Sequence, residues 1–251
     1  FLKDESGSRD GALVGAVVLA YGGYLTGYPP LQTGNLETTT WMPLLLLTLR
    51  RFTLTGSGRA ASAAVGVYAL AFLAGHPQTF LLITYLSVAY FLFRARTFGR
   101  SWGWVLRWLV VIFGLLTLVV GVQLLPQTQF LSLSTRTRLP FDQLAHGFTP
   151  QDIVQFVVTK IGSADLWQPL YVGVLGLTLV FVALPLRRDA TTRFWLAAGV
   201  VALLVSFGSN MALYHLAYWL LPVFRLFRGQ EHAAVLIAMA AATLVSLAVG
   251  A

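Results

Sequence analysis

The sequence predicts an all-α fold, that of a polytopic integral membrane protein with about eight transmembrane or re-entrant helices. Three observations carry this expectation. Of the 251 residues, 57% are hydrophobic and 10% are charged, where soluble domains carry roughly 45–50% and about 25%. Mean hydropathy is +0.74. Apolar stretches approaching the roughly 20 residues that cross a bilayer recur along the chain, with short loops between them. This composition excludes a soluble enzyme, a disordered tail and a nucleic-acid-binding domain. The net charge of +8 reads as Arg residues set at the ends of apolar segments, where they fix orientation, so no nucleic-acid partner is expected. There are no cysteines, which excludes disulfides, thiolate metal sites and c-type haem attachment.

The elements follow in order. Gly11–Tyr28 is a first span, rich in Gly and Ala and therefore suited to close helix packing. Pro29-Pro30 ends it, and Leu31–Thr40 is a polar loop. Trp41–Leu49 with its flanks is a short second span or half-helix, closed by Arg50-Arg51. Ala60–Gly75 and Thr79–Phe93 form a hairpin turning at His76-Pro77-Gln78. Trp104–Leu125 is the clearest span. The longest polar interval, 126–167, is expected as an outer-face loop with an interfacial helix at Ile153–Ile161. Leu170–Leu186 and Phe194–Phe207 span again around Arg187-Arg188-Asp189. The segment 208–232 is expected as an outer-face re-entrant or surface element, apolar over Met211–Phe227 and broken by Pro222. Ala233–Ala251 is the last span. One helical domain, 1–251, is expected. Phe1 is not an initiator Met, and the apolar run Leu244–Ala251 stops without flanking charge, so the chain reads as an internal piece of a longer protein.

Threading these spans alternately sorts the cations. Lys3, Arg9, Arg50, Arg51, Arg59, Arg94, Arg96, Arg100, Arg107, Arg187, Arg188 and Arg193 fall on one side, and Arg136, Arg138, Lys160, Arg225 and Arg228 on the other. The excess of twelve over five makes the first side cytoplasmic.

Four places hold the polar chemistry. Glu37, the one acid between Asp10 and Asp142, is expected at the outer mouth of a short helix, as a cap or as a metal ligand, sugar-hydroxyl acceptor or catalytic base. His76 is either part of a tight polar turn or an imidazole presented to a phosphate or hydroxyl. Arg136 and Arg138, with Asp142 and His146, offer guanidinium forks to phosphate or substrate, as any solvated loop would. Arg225 and Arg228 stand at i and i+3, on one face if helical, followed by Glu231 and His232; the group suits an anionic lipid headgroup or a structural Glu–Arg network. There is no Walker loop, no GxSxG elbow, no HExxH and no zinc-like Cys/His spacing. No metal site is read from spacing, and a divalent metal is the one cofactor left open.

The order W-M-P-L-L-L-L (41–47), Arg50-Arg51, G-H-P-Q (75–78), a long outer loop and P-V-F-R-L-F-R-G-Q-E-H (222–232) before an Ala-rich span resembles the YfhO-type bacterial membrane proteins, relatives of the GT-C glycosyltransferases. This chain carries Glu231-His232 where the family pattern tends to place a further Arg. The resemblance implies a multi-pass protein of the bacterial plasma membrane that takes a sugar from a polyprenyl-phosphate donor and adds it to an outer-face acceptor. It implies membrane lipid as a partner, Arg225 and Arg228 at the lipid phosphate, and Glu231 and His232 toward substrate. It also implies a catalytic acid in the first outer loop, upstream of Phe1, which leaves Glu37 and His76 as secondary candidates. A non-catalytic membrane subunit bound to protein partners and a lipid-linked sugar flippase or transporter are the alternatives.

Overall fold

The computed structural model describes residues 1–27, 32–134, 140–159 and 167–251. The α-helices are α1 (Leu2–Ser6), α2 (Arg9–Tyr21), α3 (Gly23–Thr26), α4 (Thr33–Thr40), α5 (Met42–Thr55), α6 (Gly58–Leu73), α7 (Pro77–Thr97), α8 (Trp102–Leu133), α9 (Phe141–Leu144), α10 (Val174–Leu186), α11 (Ala190–Ser206), α12 (Ala212–Leu220) and α13 (Ala234–Val249), with short 3-10 turns between them. There is no strand among the described residues. Among the described residues three helices are long and apolar enough to cross a membrane: α7, α8 and the continuous helical stretch Gln230–Val249. α6, α10 and α11 are shorter apolar helices. The chain divides into two compact units, Phe1–Gln32 with Leu139–Ala251, and Thr33–Arg138.

The first unit is built around α13, which packs against α2, α11, α10 and α1. Nearly every α13 residue is buried, from Ala234 to Ala248. Its small side chains let neighbours come close. Gly11 and Gly15, one turn apart on α2, lie directly on the α13 backbone: a Cβ at Gly15 would sit 2.5 Å from the Ala242 carbonyl, and one at Gly11 would strike the Ser246 carbonyl. This is the close packing expected of the first span, but the span itself is shorter than expected. α2 ends at Tyr21 because Gly22 is extended (ψ 157°), and the Gly23 N–H donates to the Tyr171 carbonyl at 2.6 Å. The segment 168–171 crosses where a Gly23 side chain would be.

One end of this unit gathers α1, the start of α11 and the end of α13. Arg187 Nη1 donates to the Ser6 carbonyl at 3.4 Å, Trp195 Nε1 donates to Glu5 Oε2 at 3.4 Å, and Gly250 lies against Ser6 and Ser8. Lys3, Arg9, Arg187, Arg188 and Arg193 therefore share that end, and Arg225 and Arg228 lie at the other. Asp189 caps α11 there, accepting the Thr192 N–H at 2.8 Å and pairing with Arg187 at 3.2 Å.

The second unit packs α5, α6, α7 and α8 around a ring cluster. Phe52 stacks on Phe91 (5.9 Å) and Trp104 (5.0 Å) and meets Trp108 edge-on. The Tyr68 hydroxyl and Ser87 Oγ share a 2.6 Å hydrogen bond. The expected hairpin at 76–78 is present: His76 Nδ1 accepts the Thr79 N–H and Pro77 occupies the first turn of α7, where a missing N–H is harmless. α5 ends at Gly56 (φ 69°), and Arg100 donates Nε and Nη2 to its last carbonyls, Thr53 and Leu54. All the cations among the described residues of this unit, Arg50, Arg51, Arg59, Arg94, Arg96, Arg100 and Arg107, sit at the end where α5 and α7 finish and α6 and α8 begin.

Several boundaries differ from those the sequence suggests. Leu31–Thr40 is largely helical: α4 forms on Thr33–Thr40, held to α7 by the Thr79 hydroxyl donating to Asn35 Oδ1. Arg50-Arg51 lies inside α5 rather than ending it. Pro126 does not end the Trp104 span: α8 runs 32 residues, about 48 Å at 1.5 Å per residue. A single Pro removes one donor, a loss that apolar helices tolerate where local adjustment or a neighbouring group satisfies the freed carbonyl. The helix expected at Ile153–Ile161 is instead a 3-10 turn at Pro150–Phe156, with residues 160 and 161 outside those described.

Two predictions follow from this packing. Gly15→Leu forces α2 off α13 and costs about 1–3 kcal/mol, read as a fall in Tm in detergent, whereas Gly66→Ala, at a helical site with open space around it, raises stability by about 0.5–1 kcal/mol. Partial burial pushes the Asp189 carboxyl up, but the Thr192 N–H and the Arg187 charge outweigh it and hold it below the usual carboxylate range. A depressed native pKa stabilises the fold above the unfolded-state value, and that stabilisation is lost as pH falls through the native one. Asp189→Asn, which keeps a capping side chain, is therefore less stable than the parent near neutral pH, and the difference in Tm closes on acidification.

Candidate functional site

The end of the first unit opposite Arg187 is built by four short segments that carry little regular structure. Residues 145–148 lie against 206–209 through two glycines: a Cβ on Gly147 would strike the Ser206 carbonyl, and one on Gly208 (φ 56°) would strike that of Ala145. The Phe148 N–H donates to the Ser206 carbonyl at 2.9 Å, and the Ser209 N–H to that of Ala145 at 2.8 Å. Asn210 Nδ2 holds the Phe148 carbonyl at 2.8 Å.

Gln230 joins the start of α13 to the same loop. Its N–H donates to the His146 carbonyl at 2.8 Å, and its buried Nε2 reaches the carbonyls of Leu144 and Phe227, both at 3.2 Å. Below the loop, Thr149 and Asp152 form a reciprocal capping box. Asp152 Oδ2 accepts the Thr149 N–H and hydroxyl at 2.7 and 2.8 Å, and Oδ1 accepts Gln155 Nε2 at 2.9 Å. Asp152 and Gln155 are fully buried, so they support the loop and do not reach a ligand.

On this scaffold stand the charged groups. The Glu231 carboxylate folds over Gly229, whose φ of 78° turns the chain back, and His146 is close enough to interact with it electrostatically. The His232 ring lies 5.5 Å from that of Trp167, which itself meets the Tyr24 ring at a tilt, 5.5 Å away, and donates Nε1 to the Tyr24 carbonyl at 3.3 Å. Arg225 and Arg228 are both exposed and make no ion pair among the described residues. They do not share a helical face. A 3-10 turn covers only Phe224–Leu226, and Phe227 is extended (φ −119°, ψ 144°), so the i, i+3 geometry expected of a helix is absent.

The structure thus brings His146, from the long loop, to Glu231, from the last polar motif. Glu37 and His76 belong to the second unit. Glu37 is exposed on α4 and does not cap α5, which begins at Met42 after Trp41 without a side-chain cap; the helix-mouth position expected of it is corrected by α4 itself. His76 uses Nδ1 on the α7 cap. Arg136 and Arg138 lie outside the described residues. Among the described residues no three His, Asp or Glu side chains are placed to hold a metal ion. Sequence reasoning passed over Gln230, Trp167 and the two interlocking glycines. Thr149-Pro150-Gln151-Asp152 was legible as a capping box, whereas Gly147 and Gly208 carry no signal apart from their contact. No family model, curated protein or solved structure matches the chain.

Gln230→Leu leaves the Leu144 and Phe227 carbonyls unpaired in a buried place, which costs about 1–3 kcal/mol. Hydrogen exchange at Phe148 and Ser209 then accelerates ahead of exchange in α13.

Proposed function

We propose that the chain is the multi-span membrane part of a glycosyltransferase-like protein of the bacterial plasma membrane, with about eight membrane-crossing or re-entrant helices. It takes a sugar from a polyprenyl-phosphate donor and passes it to an outer-face acceptor. The observation that carries this reading is the end of the first unit, where exposed Arg225 and Arg228 share a loop scaffold with Glu231, His232 and His146. Further support comes from the gathering of most described Lys and Arg at one end within each unit, as a membrane protein sorts its cations, and from the resemblance in chain order to YfhO-type proteins.

In this reading Arg225 and Arg228 neutralise the charge that grows on the departing lipid phosphate, while Glu231, His146 and His232 meet sugar or acceptor hydroxyls. The acceptor oxygen bonds to the anomeric carbon as the bond to the phosphate oxygen breaks, with inversion, and a carboxylate takes the hydroxyl proton. A second reading, a subunit of a larger membrane complex, draws on α8, whose most apolar stretch is only 17% buried and leaves Leu118, Val122 and Leu125 exposed.

The test is transfer by purified protein from a polyprenyl-phosphate sugar in liposomes. Arg225→Ala with Arg228→Ala lowers transfer by about 10²-fold or more while expression and monodispersity hold; unchanged transfer ends the assignment. Donor crossing the bilayer with no glycosylated product makes the protein a flippase, and a stoichiometric co-purifying partner with no product makes it a subunit.

A further inference from the structure

α12 has nine residues, about 14 Å of helix, less than half the roughly 30 Å of a hydrocarbon core, so it does not cross. It is nonetheless apolar on both sides. Tyr214 and Ala217 are buried, with Tyr214 against Phe141 and Phe224. The opposite side exposes Leu216 (57%), Trp219 (75%) and Leu220 (75%); His215, also exposed, rests on the Phe141 ring at 5.0 Å. A helix lying on water turns a mainly polar face outward, and this one turns out a mainly apolar face.

Its depth is set from both ends. The chain reaches α12 from the end of α11 and leaves it for the start of α13. The loop 144–148 bonds both places, Ser206 through Phe148 and Gln230 through His146, so α12 lies at the level where α11 ends and α13 begins. Arg225 and Arg228 follow five and eight residues after Leu220. They are exposed and without ion pairs among the described residues, and free guanidinium groups are costly in hydrocarbon, so this level is that of the lipid phosphates.

We propose that α12 is an in-plane interfacial helix on an anionic leaflet, with Leu216, Trp219 and Leu220 set into the acyl boundary and Arg225 and Arg228 on the headgroup phosphates. Trp at the boundary and cations above it form the pattern of helices that lie in a membrane surface. The inference rests on the membrane reading and not on sugar transfer.

The chain has no cysteine, so single cysteines label cleanly. Nitroxides at Leu216→Cys, Trp219→Cys, Arg225→Cys and, on α8, Leu118→Cys are followed in the full chain in nanodiscs by collision with oxygen and with a water-soluble nickel complex. Labels at 216 and 219 favour oxygen at a depth just below the phosphates, the label at 225 favours nickel, and the label at 118 favours oxygen more deeply. Adding phosphatidylglycerol to phosphatidylcholine moves the 219 label deeper, and that shift is lost in Arg225→Gln with Arg228→Gln. Nickel access at 216 and 219, or shielding there from both reagents as in a protein contact, overturns the proposal. So does a 219 label whose depth ignores phosphatidylglycerol. Nickel access at 118 as well would mean that the membrane reading itself had failed.

Discussion

The close crossing of α2 over α13 is the constraint on which the first unit depends. Inside a bilayer, apolar side chains gain little by leaving lipid for protein, so helices associate through packing that lipid tails cannot match. Gly11 and Gly15 supply it by bringing the two backbones to contact distance at Ala242 and Ser246. With α13 fixed and buried, α10 and α11 take the remaining sides. The ends of all four helices are then set, and with them the level of every loop they carry.

That level decides the chemistry at the far end. Four segments with hardly a helical turn between them are held by backbone hydrogen bonds, two interlocking glycines and the side chain of Gln230. Such a frame keeps polar groups paired where an irregular chain would otherwise strand them near hydrocarbon. It brings together an imidazole and a carboxylate that are 85 positions apart in the chain, His146 and Glu231. The two arginines stay outside this frame and exposed. A headgroup phosphate and a lipid-linked donor phosphate lie at the same depth, so the proposed membrane-surface role of α12 and the proposed use of Arg225 and Arg228 are compatible demands on one place.

The second unit solves its polar problem differently. Its cations line one end, where Arg100 satisfies the last carbonyls of α5 and Arg94 is buried against the Tyr90 and Phe93 rings. Asn35 and Thr79 pair between α4 and α7. Ring stacking around Phe52 fills the remaining space, and nothing in the described part of this unit gathers acids or imidazoles as the first unit does.

Sequence by itself determined the all-helical class, the hairpin at His76-Pro77-Gln78 and the break after α12 at Pro222, because hydropathy and Pro act locally along the chain. It misplaced the end of α2, the polar stretch before Trp41 and the passage through Pro126. α2 stops at Gly22 because the next residue, Gly23, gives its N–H to the Tyr171 carbonyl, α4 is held to α7 by the pairing of Thr79 with Asn35, and α8 continues through Pro126 although the polar Gln127, Thr128 and Gln129 follow it. Only the tertiary structure decided that Arg225 and Arg228 do not share a helical face, that the His146 segment bonds Gln230 beside Glu231, and that Gly147 and Gly208 hold the loop. Each of these depends on a partner distant in sequence, and a pattern read along one chain carries no record of which distant backbone will approach it.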